Sequence, residues 1–229
     1  MNEAYCQLFL RETRHGILAG VKLPPPTDDL HVSPLLTEKE KEHVLWLPVL
    51  RRAAWMGGRV ALRLAARHFG IELDSVFSTH RGAPSLPPGL VASISHKRRI
   101  AVALLARSST FTVGVDVEEL DRPRPKIARL VLRTPESHRI ENLPHAQRWP
   151  AIITTFSIKE SIFKAIDPIV QRYVGFHEAE VEILPHGDSH IALYLNTLHA
   201  PFEIDGRWQV FDSHVVTSVR LRPASLSDR

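Results

Sequence analysis

Val113-Gly114-Val115-Asp116-Val117-Glu118 is the stretch from which the rest of the chain is best read. Valine stands at every second position, as in a strand, where side chains two apart share a face. The alternation sends Val115 and Val117 into one layer and turns Asp116 and Glu118 together toward the other. Two neighbouring carboxylates repel unless something positive sits between them. Downstream, Phe156-Ser157-Ile158-Lys159-Glu160-Ser161-Ile162-Phe163-Lys164-Ala165 reads as a helix. Glu160 and Lys164 lie one turn apart on it and share a face. Ile158, Ile162, Phe163 and Ala165 surround them, so the helix is expected to be substantially buried, and charges there need pairing or a metal.

Each segment taken singly has a plainer reading. A strand ending near Asp116 leaves two solvated acids. Glu160 with Lys164 alone is a surface ion pair worth a few tenths of a kcal/mol, roughly. Together the two segments supply three acids and a base, the equipment for holding magnesium, which takes hard oxygen ligands, against a pyrophosphate.

Outward from these segments, the pattern of elements repeats. Leu23 to Thr27 contains three prolines and is expected to be extended. Thr37-Glu38-Lys39-Glu40 reads as a capping box that opens a helix. Apolar residues recur at helical spacing from Val44 to Leu64, with a kink or break at Pro48 and a stop at Gly70. Strands are expected at 71–77, 90–94 and 100–106, with a Pro- and Gly-rich loop from Arg81 to Gly89, and a fourth at 111–117. A second long helix is expected from Gln147 to Ile166, with Pro150 in its first turn. Strands at 179–184, 191–196, 207–211 and 214–221 follow, then a polar, frayed tail from Pro223. One long helix and several antiparallel strands thus occur before about residue 112 and again after it. The expected fold is α+β, as two similar lobes, 1–112 and 113–229, each a long helix on a small antiparallel sheet. The repeat is one of pattern; no residue identity between the halves is read from the sequence.

The chain has 229 residues, 29 Lys plus Arg against 25 Asp plus Glu, and a single cysteine, Cys6. One cysteine excludes an internal disulfide. No apolar run is long enough to span a membrane, and Met1 to Leu10 lacks the features of a signal peptide, so a cytoplasmic protein is expected. The small cationic excess is mostly arginine, suited to a phosphate-rich ligand, an acidic protein or nucleic acid, and equally to an ordinary solvated surface. Arg51, Arg52, Arg59, Arg63 and Arg67 lie along the first long helix, Arg81 precedes a Gly-Ala-Pro turn, and Ser95-His96 ends a strand before Lys97-Arg98-Arg99. A strand-end histidine is suited to donate to phosphate; alone it reads equally as a loop histidine.

The motif pair Gly114–Glu118 and Phe156–Ala165 resembles the signature of the 4'-phosphopantetheinyl transferases. Ser93-Ile94-Ser95-His96 is similar to that family's histidine segment. Arg81 to Pro88 is similar to its loop for the adenosine end of coenzyme A. Phe163 to Val181 resembles the enterobactin-synthase branch. Phe156 stands where the family often has tryptophan, and the Arg81 loop lacks the lysine many members carry. The resemblance implies two similar lobes related by a pseudo-twofold axis in a monomer. It implies transfer of the phosphopantetheine arm of coenzyme A to a serine of an acidic acyl-, peptidyl- or aryl-carrier protein, releasing adenosine 3',5'-bisphosphate. Asp116, Glu118 and Glu160 would hold Mg²⁺. Glu160 or a water would take the serine proton, and Lys164 would assist the departing phosphate. Arg51, Arg59, Arg81, Ser95, His96, Lys159 and Lys164 would contact coenzyme A. The implied protein binds neither nucleic acid nor membrane. The rival readings are another magnesium-dependent phosphotransferase or nuclease, and a non-enzymatic basic module binding polyanions.

Overall fold

The computed structural model describes residues 4–25, 31–195 and 202–224. Pro26 and Thr27 of the proline segment, Asn196, and the tail from residue 225 lie outside them. The chain divides into two compact units, Met1–Ser109 and Thr110–Arg229.

In the first unit, β1 (Gln7–Thr13) and β2 (Gly16–Lys22) form a hairpin. Helices α1 (Glu38–Leu45) and α2 (Val49–His68) follow, then β3 (Leu90–Lys97) and β4 (Ile100–Arg107). The sheet order is β1-β2-β4-β3, and every pairing is antiparallel. The capping box at Thr37 is present: Thr37 Oγ1 accepts from the Glu40 amide, and Glu40 Oε2 accepts from the Thr37 amide. Pro48 lies between α1 and α2, as its missing N–H favours. Leu62 and Ala65 of α2 pack on Ile17, Ala19, Ala103 and Leu105 of the sheet.

The second unit opens on β5 (Thr112–Glu119). Three helices follow: α3 (Ala128–Val131), α4 (Thr134–Glu141) and α5 (His145–Val170). The strands β6 (Ala179–Ile183), β7 (Asp188–Leu193), β8 (Phe202–Phe211) and β9 (His214–Pro223) complete a sheet of order β5-β9-β8-β7-β6. Ile158, Ile162, Ala165 and Ile166 of α5 pack on Val181, Val219 and Leu221. Full burial of one such side chain stabilises by about 1.5–3 kcal/mol. Helix α5 is longer than expected at both ends, and Gln171 closes it in the left-handed region at φ 49°. No described helix is long and apolar enough to cross a membrane.

Two expectations need correction. The β1–β2 hairpin was not anticipated: β2 is nearly all buried and so shows no polar alternation. Residues 71–77 form no strand. Side chains satisfy their backbone instead: Arg63 donates to Leu73 O and Asp74 O, Arg59 Nε donates to Val76 O, and the Val76 amide donates to Glu40 Oε1. With those groups already paired, a ladder is unnecessary there.

Candidate active site

Gly114 sets the geometry of the second unit. A Cβ at that position would overlap the Ser161 carbonyl oxygen, so only glycine lets α5 lie this close on β5. Thr112 Oγ1 donates to Ala165 O at 2.6 Å across the same contact. The helix runs back along the strand, which brings Ser157 and Lys164 to Asp116. Asp116 Oδ2 accepts from Ser157 Oγ at 2.9 Å, and Oδ1 accepts from Lys164 Nζ at 2.8 Å. Lys164 also donates to Val115 O at 3.0 Å. Behind Ser157, Thr217 of β9 lies 2.9 Å from its hydroxyl and 2.8 Å from that of Ser161. Asp116 is thus a buried carboxylate held on both oxygens.

Glu118, two residues on and on the same face, is also buried. Its Oε2 accepts from Arg124, in the turn after β5, at 2.9 Å. Glu119 faces the other way and meets Arg122 at 3.5 Å. Glu160 is half-buried on α5, between Ser157 and Lys164 along the helix. It borders a cavity of about 90 Å³ walled by Phe163, Tyr173, Val174, Phe176 and Ala179. Among the described residues no group of three His, Cys, Asp or Glu side chains is gathered to hold a metal ion. Asp116, Glu118 and Glu160 therefore do not form a closed triad here; Lys164 and Arg124 supply the positive charge beside the first two. The donor chemistry nonetheless suits a hard divalent cation, which takes carboxylate oxygens and would compete for them with the ammonium and guanidinium now beside them.

Lys159, expected on coenzyme A, faces inward. Its side chain is 1% exposed, and the ammonium donates to Glu136 Oε2 at 2.7 Å, Val131 O at 2.8 Å and Phe176 O at 3.0 Å. All three of its protons are engaged, and a lysine has no fourth to offer a ligand. Burial pushes its pKa below the ordinary lysine value, against the opposing pull of Glu136.

The remaining expected residues lie in the first unit. Arg59 is buried; Nε donates to Val76 O at 3.1 Å and an Nη to Ser78 Oγ at 3.0 Å, while its guanidinium stacks 4.0 Å over Trp55. Burial lowers its pKa to about 10. Arg59 thereby ties α2 to the segment leading into the Arg81 turn, where Ser78 bridges Pro84 and Gly82 N donates to Thr79 O. Arg51 and Arg81 are exposed. Ser95 is buried on β3, and His96, on the opposite face, is exposed.

Ser157, Arg124 and Glu136 were not singled out in the sequence. Ser157 is seven residues before Lys164, the spacing that returns a helix to one face, and this was a usable signal. Glu136 stands three residues beyond Arg133 at the start of α4, the same position as Glu40 in its capping box. Nothing local marks Arg124.

Residues 112–219 match the family model of the 4'-phosphopantetheinyl transferase superfamily. Residues 48–106 match the 4'-phosphopantetheinyl transferase N-terminal domain. Enterobactin synthase component D of Salmonella typhi is 30% identical over 188 residues, covering 76% of this chain and 76% of that protein. The 4'-phosphopantetheinyl transferase Svp of Streptomyces mobaraensis is 28% identical over 206 residues, covering 81% of this chain and 78% of Svp. Among solved structures, the ACPS–CoA complex of Chronobacterium ammoniagenes is 18% identical, with a TM-score of 0.42, covering 51% of this chain and 100% of that one. The chain belongs to the 4'-phosphopantetheinyl transferase superfamily, in its enterobactin-synthase branch, and is an enzyme of that type.

Proposed function

We propose that this transferase moves the 4'-phosphopantetheine group of coenzyme A to a serine of an acidic acyl- or peptidyl-carrier protein, dependent on Mg²⁺, and releases adenosine 3',5'-bisphosphate. The observation that carries this reading is the meeting of α5 with β5. There the Lys164 ammonium lies 2.8 Å from a buried Asp116 carboxylate whose other oxygen is held by Ser157. Phosphoryl transfer depends mainly on alignment and on neutralising charge, and this corner offers both.

Asp116, Glu118 and Glu160 would hold the metal, which when bound neutralises charge on the diphosphate oxygens. Glu160 is half-buried at the edge of this corner and is suited to take the serine proton, directly or through a water. Lys164, already aimed at Asp116, is suited to stabilise the departing phosphate. Ser157 holds the Asp116 carboxylate in one rotamer. In the first unit, Arg51, Arg81 and His96 would contact the phosphates and adenosine of coenzyme A, Ser95, buried on the other face of β3, would hold the strand that presents His96, and Arg59 would shape the Arg81 turn. The arginine-rich surface would attract an acidic carrier and speed encounter. We take the active form to be a cytoplasmic monomer.

The test is mass spectrometry of apo-carrier proteins incubated with this protein, coenzyme A and Mg²⁺. The expected result is a gain of one phosphopantetheine on the carrier serine, lost when the metal is chelated. A carrier left unmodified, or modified equally well without metal, would contradict the reading.

A further inference from the structure

Of the three buried carboxylates of β5, Asp116 and Glu118 share a face and are balanced differently. Lys164, the partner of Asp116, comes from the packed helix α5 and is also tied to Val115 O. Arg124, the partner of Glu118, comes from the Pro123-Arg124-Pro125 turn. Its side chain is 49% exposed, against 8% for Glu118. A half-exposed guanidinium keeps part of its hydration and is screened by solvent, so it can leave its carboxylate at less cost than a buried cation can. A divalent ion on Glu118 would face that guanidinium as a like charge at close range.

We propose that Arg124 is a displaceable counter-ion: it occupies Glu118 while the metal is absent, leaves when a divalent cation binds, and so sets the affinity of the site for that cation. The inference rests on the metal reading above. Arg122 provides an internal comparison. It carries the same charge in the same turn but pairs with Glu119, on the opposite face of β5.

The experiment is a titration of the full chain with Mn²⁺ alone, reading the free ion by electron paramagnetic resonance. Arg124→Met is expected to tighten Mn²⁺ binding roughly two- to fivefold, the effect of losing one competing cation that solvent partly screens. Arg124→Lys should stay near wild type, and Arg122→Met should change little. Glu118→Gln should weaken binding. Mn²⁺ held equally or less tightly by Arg124→Met would overturn the counter-ion, as would an equal gain in Arg122→Met, which would reduce the effect to net charge. Mn²⁺ that fails to bind wild-type protein, or that ignores Glu118→Gln, would instead overturn the metal reading, and the counter-ion with it.

Discussion

In the first unit the buried Glu40 carboxylate meets the Arg63 guanidinium of α2 at 2.7 Å; in the second the buried Glu136 carboxylate meets the Lys159 ammonium of α5 at 2.7 Å. The agreement extends through both devices. Glu40 Oε2 also accepts the Thr37 amide and its Oε1 the Val76 amide; Glu136 Oε2 also accepts the Arg133 amide and its Oε1 the Val181 amide. Arg52 brackets the carbonyls of Leu47 and Leu45, and Arg148 those of Leu143 and Glu141. One interval in the numbering relates Glu40 to Glu136, Leu47-Pro48 to Leu143-Pro144, Arg52 to Arg148 and Arg63 to Lys159. In both sheets the strand leading into the helices, β2 or β5, lies beside one that follows them, β4 or β9.

The same interval sets Asp116 against Gly20, Glu118 against Lys22, Glu160 against Leu64 and Lys164 against His68. The frame is repeated, and the acids and the lysine of the proposed chemistry stand in one copy. The comparison separates two roles that charged residues play on these long helices. Arg63 and Lys159 hold the frame, while Glu160 and Lys164 belong to the proposed site.

The largest effect is expected from breaking a frame pair. Lys159→Met leaves Glu136 charged and buried without its partner, and should lower unfolding free energy by about 3–5 kcal/mol in urea denaturation. Arg63→Met should cost a similar amount. A large cost in one unit alone would break the comparison. Next, Lys164→Met should lower the turnover rate of carrier modification roughly a hundredfold with the fold intact by circular dichroism, as expected for a lost acid or charge partner. His68→Met, at the matching position, should leave it within about twofold, since an exposed surface substitution is nearly neutral. Arg59→Ala should raise the KM for coenzyme A by about tenfold with little change in kcat, because it shapes a binding loop and not the reacting corner. An effect on kcat alone would move Arg59 to the chemistry. Arg52→Ala and Arg148→Ala should each cost only about 1 kcal/mol, and by similar amounts.

Much of this frame was legible in residue pattern. Thr37 to Glu40 announced its capping box, Pro48 its break, and the valines of β5 their alternation, because each signal is local. The duplicated buried glutamates were not legible, because Glu40 and Glu136 draw their role from distant partners: Arg63 and Val76, Lys159 and Val181. For the same reason Lys159 read as a ligand contact when it is a buried strut. The burial of Ser157 against Asp116 depends on Gly114, and the glycine's purpose emerges only when α5 lies on it. Residues 71–77 looked like a strand because they alternate, yet Arg59 and Arg63 satisfy their backbone in place of a neighbouring strand.

The most direct measurement of where the chemistry resides is the rate of carrier modification by Glu160→Gln, at saturating coenzyme A and Mg²⁺, followed by mass spectrometry. Removing one charged oxygen donor should leave less than about a tenth of wild-type turnover in a protein that unfolds at the same denaturant concentration. Near-wild-type turnover would contradict the placement of metal and proton transfer at α5 and β5.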